Sequence, residues 1–314
     1  MNPSLLDPQT INQAQALGLH ARYVVDGYMA GEHKSPFRGF SVEFTQHREY
    51  VPGDDTRRLD WKVLGRTDKY FIKQYEQETN YVAHILIDGS QSMQYGSGVS
   101  RNGPVSKKLK PAGITKFDYA RIMAACLSYL VLNQRDAVSL GIFDQSIRNH
   151  IPRTSNLASI HSIMATLSAF QPAQPTGIGE VLHALSGQIK RRGIIILISD
   201  LFDDEQKILD GLQHLRFGGS EVIVFHTMDP YEIDFPFTGN IEFNGLENTL
   251  QAPPLRTRPQ EIRKSYLDQM TAFYTRLREG CERNSTHYVQ VNTASPLSEM
   301  LTGYLVSRQK VKRR

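Results

Sequence analysis

The chain has 314 residues, 40% hydrophobic and 22% charged, with a formal net charge of only +4 at pH 7. This is the make-up of a soluble globular protein with room for a large core, and so small a charge gives no electrostatic case for nucleic acid. Two cysteines, both inside apolar helical patterns and without metal or redox spacing around them, exclude a disulfide framework and fit reduced, cytoplasmic thiols.

Residues 1–80 read as a short helix followed by an extended, aromatic-rich segment. Met1 to Ala16 is polar and lacks the apolar core of a signal peptide. Phe40 to Tyr50 and Tyr70 to Tyr75 predict strands around a Pro52-Gly53-Asp54-Asp55 turn, a small β-rich extension. Arg48, Tyr50, Gly53, Asp54, Asp55, Arg58, Asp60 and Trp61 lie close together in this stretch. Asp and Arg at such spacing suit a turn locked by bidentate ion pairs, and the lone Trp61 suits a packing anchor. A docking surface is the alternative use of the same residues.

Residues 81–307 alternate strand and helix. Val82 to Ile87, Val138 to Phe143, Ile194 to Ile198, Glu221 to Phe225 and His287 to Val291 predict strands. Phe117 to Leu132 predicts a buried helix; its apolar stretch, interrupted by Ser128 and Tyr129, is too short to span a bilayer. Apolar residues at helical spacing predict further helices over 160–170, 178–189, 208–215, 262–277 and 297–305. Ile147 to Ile151 suits an antiparallel edge strand. The expected fold is α/β, a mostly parallel central sheet with helices on both faces. Residues 95–115, rich in Gly, Ser and Lys, read as a loop. In the insert 229–257, Asn244-Gly245 signals a hairpin. Five of the last seven residues, 308–314, are basic and read as a solvated tail, with an acidic partner, RNA or a membrane surface as the alternative.

The strand Val82 to Ile87 runs into Asp88-Gly89-Ser90-Gln91-Ser92, which places a carboxylate and two hydroxyls on a tight turn. All three are hard oxygen donors of the kind magnesium and manganese prefer, and the turn lies beyond the carboxyl end of a strand, where open α/β sheets bind ligands. Taken alone, the same turn also suits helix capping. Thr176, in a turn before a helix, and Asp200, at the end of Ile194 to Ile198, belong at the same edge of a parallel sheet. Two carboxylates and three hydroxyls then surround one cation of magnesium type, with manganese as the alternative, and leave a position for a carboxylate from a partner protein.

Enzymatic readings need more. A metal-dependent hydrolase requires a general base, and His226 is the candidate. No Gly-x-Ser-x-Gly and no phosphate-binding Gly-x-x-x-x-Gly-Lys-Ser/Thr run is present.

Phe44, Arg48-x-Tyr50-x-Pro52-Gly53-Asp54-Asp55, Arg58-x-Asp60-Trp61 and Tyr75-x-x-Glu78 resemble the signature of the domain-of-unknown-function 58 family, which joins this motif to a von Willebrand factor type A fold. The resemblance runs from about Gly39 to Arg308. It takes in Lys116-Phe117-Asp118-Tyr119-Ala120, Arg191-Arg192-Gly193, Ser199-Asp200-Leu201 and Asp229-Pro230-x-Glu232. It implies that Asp88, Ser90 and Ser92 form a metal-ion-dependent adhesion site, with Thr176 and Asp200 as the remaining ligands. It also implies a non-enzymatic adaptor that works with a MoxR-type AAA-plus ATPase, or its client, in assembling or activating protein complexes. This chain departs from many relatives in lacking membrane-spanning segments. Its basic loop around Lys107, Lys108 and Lys110 looks longer than usual.

Overall fold

The structure, a computed structural model, describes residues 42–51, 59–77, 82–99, 111–133, 135–189, 193–247, 253–297, 299–301 and 304. They belong to two compact units that divide between Asn80 and Tyr81.

In the smaller unit, strand β1 (Val42–Glu49) pairs antiparallel with β2 (Phe71–Gln77), with a register shift between Phe44 and Gln46. Between them lies helix α1 (Trp61–Thr67). Asp60 starts it, accepting hydrogen bonds from the backbone N–H of Lys62 (3.0 Å) and Val63 (3.3 Å), which satisfies donors a helix start leaves unpaired. The two strands agree with the sequence; the helix was not foreseen. Trp61, expected to anchor packing, is instead 65% exposed: it opens a helix that buries none of its side chains. The expected turn at residues 52–55, Arg58 and the side chain of Arg48 fall outside the described residues, and with them the expected ion-pair network.

The larger unit contains a six-stranded sheet in the order β10-β7-β6-β3-β4-β5. The strands are β3 (Val82–Asp88), β4 (Ala137–Phe143), β5 (Ile147–Thr154), β6 (Gly193–Ser199), β7 (Glu221–Met228) and β10 (His287–Asn292). Every pair is parallel except β4 with β5, the antiparallel edge read from the sequence. The central strands are continuous apolar runs because helices cover both of their faces.

Alternate residues of each strand feed opposite faces. Ile85, Ile87, Ile196, Ile198, Ile223 and Phe225 pack against helices α2 (Lys116–Asn133) and α3 (Ser159–Ala169). Leu86, Ile195, Leu197, Val222 and Val224 pack against α4 (Ile178–Gln188), α5 (Glu205–Phe217) and α7 (Pro259–Arg283). Each such fully buried side chain contributes about 1.5–3 kcal/mol, so the two layers clamp the sheet. Cys126 and Cys281 are buried and unpaired, one in each layer.

Beyond β7, the short helix α6 (Pro230–Asp234) leads to a small hairpin of β8 (Ile241–Phe243) and β9 (Leu255–Thr257). The hairpin foreseen at Asn244-Gly245 is therefore present, but that dipeptide opens a long connection to β9 instead of forming a tight turn. Aromatic rings hold its base: Phe235 stacks on Tyr266 of α7 at 4.3 Å between centroids, and on Phe243 at 5.7 Å. Among the described residues, no helix is long and apolar enough to cross a membrane.

Candidate metal centre

The direction in which strands are added to the sheet switches between β3 and β6. The connection after β3 leads through α2 to β4 on one side, whereas β6 lies on the other side and leads through α5 to β7. Helices α2 and α5 cover opposite faces, so the loops leaving β3 and β6 part and open a crevice between the two strand ends. Such a switch point is where open α/β sheets bind ligands.

Register sets the residues at this crevice. Ile87 pairs with Ile198, which makes Asp88 level with Ser199 and puts Asp200 one step beyond. The Ser199 hydroxyl donates to Asp88 Oδ2 at 2.6 Å, and the Ser90 backbone N–H donates to Asp88 Oδ1 at 2.9 Å. Ser90 and Ser92 hold their hydroxyl oxygens 3.0 Å apart. Gly89 allows the turn to pass this close to the core: a Cβ there would lie 2.4 Å from the Phe170 ring. Ser90 bridges to Gln174, and the Gln91 N–H donates to the Gln174 carbonyl at 2.8 Å. That pairing brings the loop with Thr176 alongside the serine turn. The Thr176 hydroxyl oxygen is buried and has no hydrogen-bond partner.

Asp88 and Asp200 are both buried, yet they titrate differently. Burial, reinforced by the nearby negative charge of Asp200, pushes Asp88 up to about 7. Burial also acts to raise Asp200, but the Lys116 ammonium outweighs it and holds that carboxyl below its ordinary value. Lys116 Nζ lies 2.8 Å from Asp200 Oδ2 and 2.7 Å from Glu232 Oε1, with the Tyr95 ring 5.9 Å away. Burial works against the ammonium, and the two carboxylates more than offset it, so its pKa is raised.

Glu232 leads to the next turn. Its Oε2 accepts from the Asp229 N–H at 2.9 Å, while Asp229 Oδ1 accepts from the Tyr231 N–H at 2.8 Å, a capping box at the start of α6. Asp229 Oδ2 accepts from both the N–H (2.8 Å) and the hydroxyl (2.9 Å) of Ser97, and Ser97 Oγ accepts from the Ala112 N–H (2.9 Å). One aspartate thus closes the base of the loop expected over 95–115; residues 100–110 lie outside the described ones.

Four carboxylates, those of Asp88, Asp200, Glu232 and Glu247, share this region with the Lys116 ammonium. Carboxylates outnumber cations in this region among the described residues. Among the described residues, no three Asp, Glu, His or Cys side chains gather closely enough to hold a metal by themselves. The donors foreseen from the sequence differ from such a cluster: two carboxylates, Asp88 and Asp200, with the hydroxyls of Ser90, Ser92 and Thr176. A hard divalent cation fits this set, and the unpartnered Thr176 oxygen gains from one.

The family model for "Protein of unknown function DUF58" matches residues 46–275. The chain belongs to the DUF58 family. Relatives include uncharacterized proteins of Mycobacterium tuberculosis and Mycobacterium bovis, each 25% identical over 257 residues, covering 78% of this chain and 75% of theirs. Two solved structures overlap weakly. The conserved hypothetical protein BatB from Bacteroides thetaiotaomicron gives a TM-score of 0.44 at 16% identity, covering 73% of this chain and 98% of that one. An aerotolerance-related membrane protein from Bacteroides fragilis gives 0.43 at 15%, covering 72% and 99%. Neither likeness is close enough to inform the site of this DUF58 chain.

His226, the candidate general base, is fully buried at the end of β7. Its Nδ1 lies 2.5 Å from the Tyr288 hydroxyl. Burial lowers its pKa to about 4. Sequence reading singled out none of Lys116, Ser199 or Glu247 as site residues. Lys116 and Ser199 stand in segments that carry the family resemblance, but without an assigned role, and Glu247, a glutamate in a loop, carries no local pattern that marks it. Asp229-Pro230-x-Glu232 did carry one: a cap, a proline in the first turn and an acid three residues after the cap.

Proposed function

We propose that this protein is a non-enzymatic, metal-dependent protein-binding module of von Willebrand factor type A-like build, with a metal-ion-dependent adhesion site at the crevice between β3 and β6. Ser90, Ser92 and Thr176 would hold magnesium through hydroxyls, with Asp88 and Asp200 as direct or water-mediated carboxylate ligands. Bound there, the ion supplies an electrophilic position that a carboxylate from a partner can fill.

The observation that carries this reading is the Thr176 hydroxyl, buried without a partner among the described residues beside a hydroxyl-rich turn. A buried hydroxyl left unpaired costs about 1–3 kcal/mol, and a cation removes that cost. The few formal charges among the donors favour an ion that keeps part of its water and accepts an outside ligand. The full burial of His226 and its hydrogen bond to Tyr288 weigh against the hydrolase alternative, which needs a free base near the ion.

The partner class, a MoxR-type AAA-plus ATPase or its client, rests on the family resemblance. Capture of such an ATPase from native extract tests it, with wild type and Asp88→Ala, in magnesium and in EDTA. Capture that needs both magnesium and Asp88 supports the adaptor. Equal capture in all four conditions removes the metal from the interface.

A further inference from the structure

We propose that Glu247 is an internal ligand of this site: it gives the cation, from within the chain, the carboxylate that a partner otherwise supplies, so that a partner has to displace it. The inference rests on the metal reading above and adds a resident occupant to it.

Glu247 Oε1 lies 3.4 Å from the Ser92 backbone nitrogen, and Oε2 lies 3.3 Å from the Thr176 backbone nitrogen. One carboxylate therefore spans the two turns that carry the hydroxyl ligands, one oxygen to each. It also lies within electrostatic reach of Asp200. Both backbone contacts are longer than the usual 2.7–3.2 Å of an N–H···O bond. Two long bonds are poor compensation for a carboxylate placed near another carboxylate, and a cation between them supplies what is missing. Thr176 shows the same deficit from its own side, because its N–H faces Glu247 while its hydroxyl has no partner.

The delivery of Glu247 is built into the fold. It lies four positions beyond Phe243, the last residue of β8, whose ring is held between Phe235 (5.7 Å) and Phe237 (5.4 Å). Phe235 stacks in turn on Tyr266 of α7. The aromatic base fixes the start of the loop, and a short stretch of chain carries the carboxylate to the serine turn.

The test uses the full chain and manganese alone as the probe, following loss of the free-ion EPR signal. Wild type, Asp88→Ala, Glu247→Ala and the shape-conserving Glu247→Gln are titrated, with thermal unfolding to show that each is folded. The expected result is Asp88-dependent binding that weakens about ten- to a hundredfold in both Glu247 variants. Millimolar acetate is expected to restore affinity to Glu247→Ala and to leave wild type unchanged. If both Glu247 variants bind manganese as tightly as wild type while Asp88→Ala does not, Glu247 is not a ligand and the metal site stands. If acetate acts equally on wild type and Glu247→Ala, Glu247 does not occupy the partner's position. If wild type shows no Asp88-dependent binding, the metal reading falls and this inference falls with it.

Discussion

Replacing Lys116 with methionine keeps most of the aliphatic stem and removes the one ammonium at the centre of the network. Its side chain is 3% exposed and that of Asp200 is 4% exposed, while Glu232 is 27% exposed. At 2.8 and 2.7 Å, with an effective dielectric constant of about 20, each attraction amounts to about 6 kcal/mol before desolvation is subtracted. Desolvation of the ions offsets much of that, but Lys116→Met does not return Asp200 to water; it leaves a buried charge unpaired. The expected loss is therefore about 3–5 kcal/mol, the range for breaking one partner of a buried pair. Neutral pH sees the whole effect. The pKa of Lys116 is raised, so its contribution is complete below the ordinary lysine value and is lost only as pH rises through the folded value. That of Asp200 is lowered, so its contribution is present above the ordinary carboxylate range and is lost as pH falls. Urea denaturation at pH 7 with EDTA measures it. The double variant Lys116→Met/Asp200→Asn should recover about 1–3 kcal/mol of the loss. A single-variant loss below about 1 kcal/mol, the value of an exposed pair, or a double variant no more stable than Lys116→Met, would refute the reasoning.

Asp88→Asn separates stability from binding. At pH 8 the native Asp88 is a buried carboxylate above its raised pKa of about 7, and an amide can hold the contacts to Ser90 and Ser199 without the charge. In EDTA the variant should be at least as stable as wild type, while the rise in melting temperature that magnesium gives wild type should vanish; a retained rise would count against Asp88 as a ligand. Gly89→Ala should cost about 1–3 kcal/mol by overpacking, because the new Cβ meets the Phe170 ring at 2.4 Å; an unchanged urea midpoint would show that Phe170 moves aside freely. Burial pushes Cys126 up to about 11 and Cys281 up to about 12, which keeps the reactive thiolate scarce. A thiol reagent at pH 8 should label the native chain negligibly and both cysteines after urea, and rapid native labelling of either would place that thiol nearer the surface.

The order of strands and helices was legible because each apolar run is bounded by turn residues and each helix carries its own spacing. Val82 to Ile87 and Ile194 to Ile198 announce their ends with Asp88 and Asp200, which is why those residues could be assigned to one sheet edge. What sequence does not carry is pairing between distant segments. Lys116 opens a helix, where a lysine ordinarily faces water; its burial follows from Asp200 and Glu232, 84 and 116 positions further along. Glu247 meets Ser92 across 155 positions, from a loop whose composition predicts only exposure. Trp61 misled for the converse reason. A lone tryptophan suggests a core, but a seven-residue helix capped by Asp60 places it at the exposed end. Asn244-Gly245 gave the hairpin and not its span, since the long connection is set by where β9 docks.

The Lys116 bridge has a consequence for biogenesis. It ties together a residue that follows β3, one that follows β6 and one that follows β7, so no fragment ending before α6 contains the complete network. A chain still emerging from the ribosome has made Asp88 and the serine turn long before Glu232 exists. Contacts of such sequence separation carry a large loop-closure cost and slow folding. Until Glu232 is made, Lys116 has only one of its two carboxylate partners, and the crevice is not yet the one described above. All five proposed metal ligands are thus made before the second carboxylate that steadies Lys116, and β10 completes the sheet only after both.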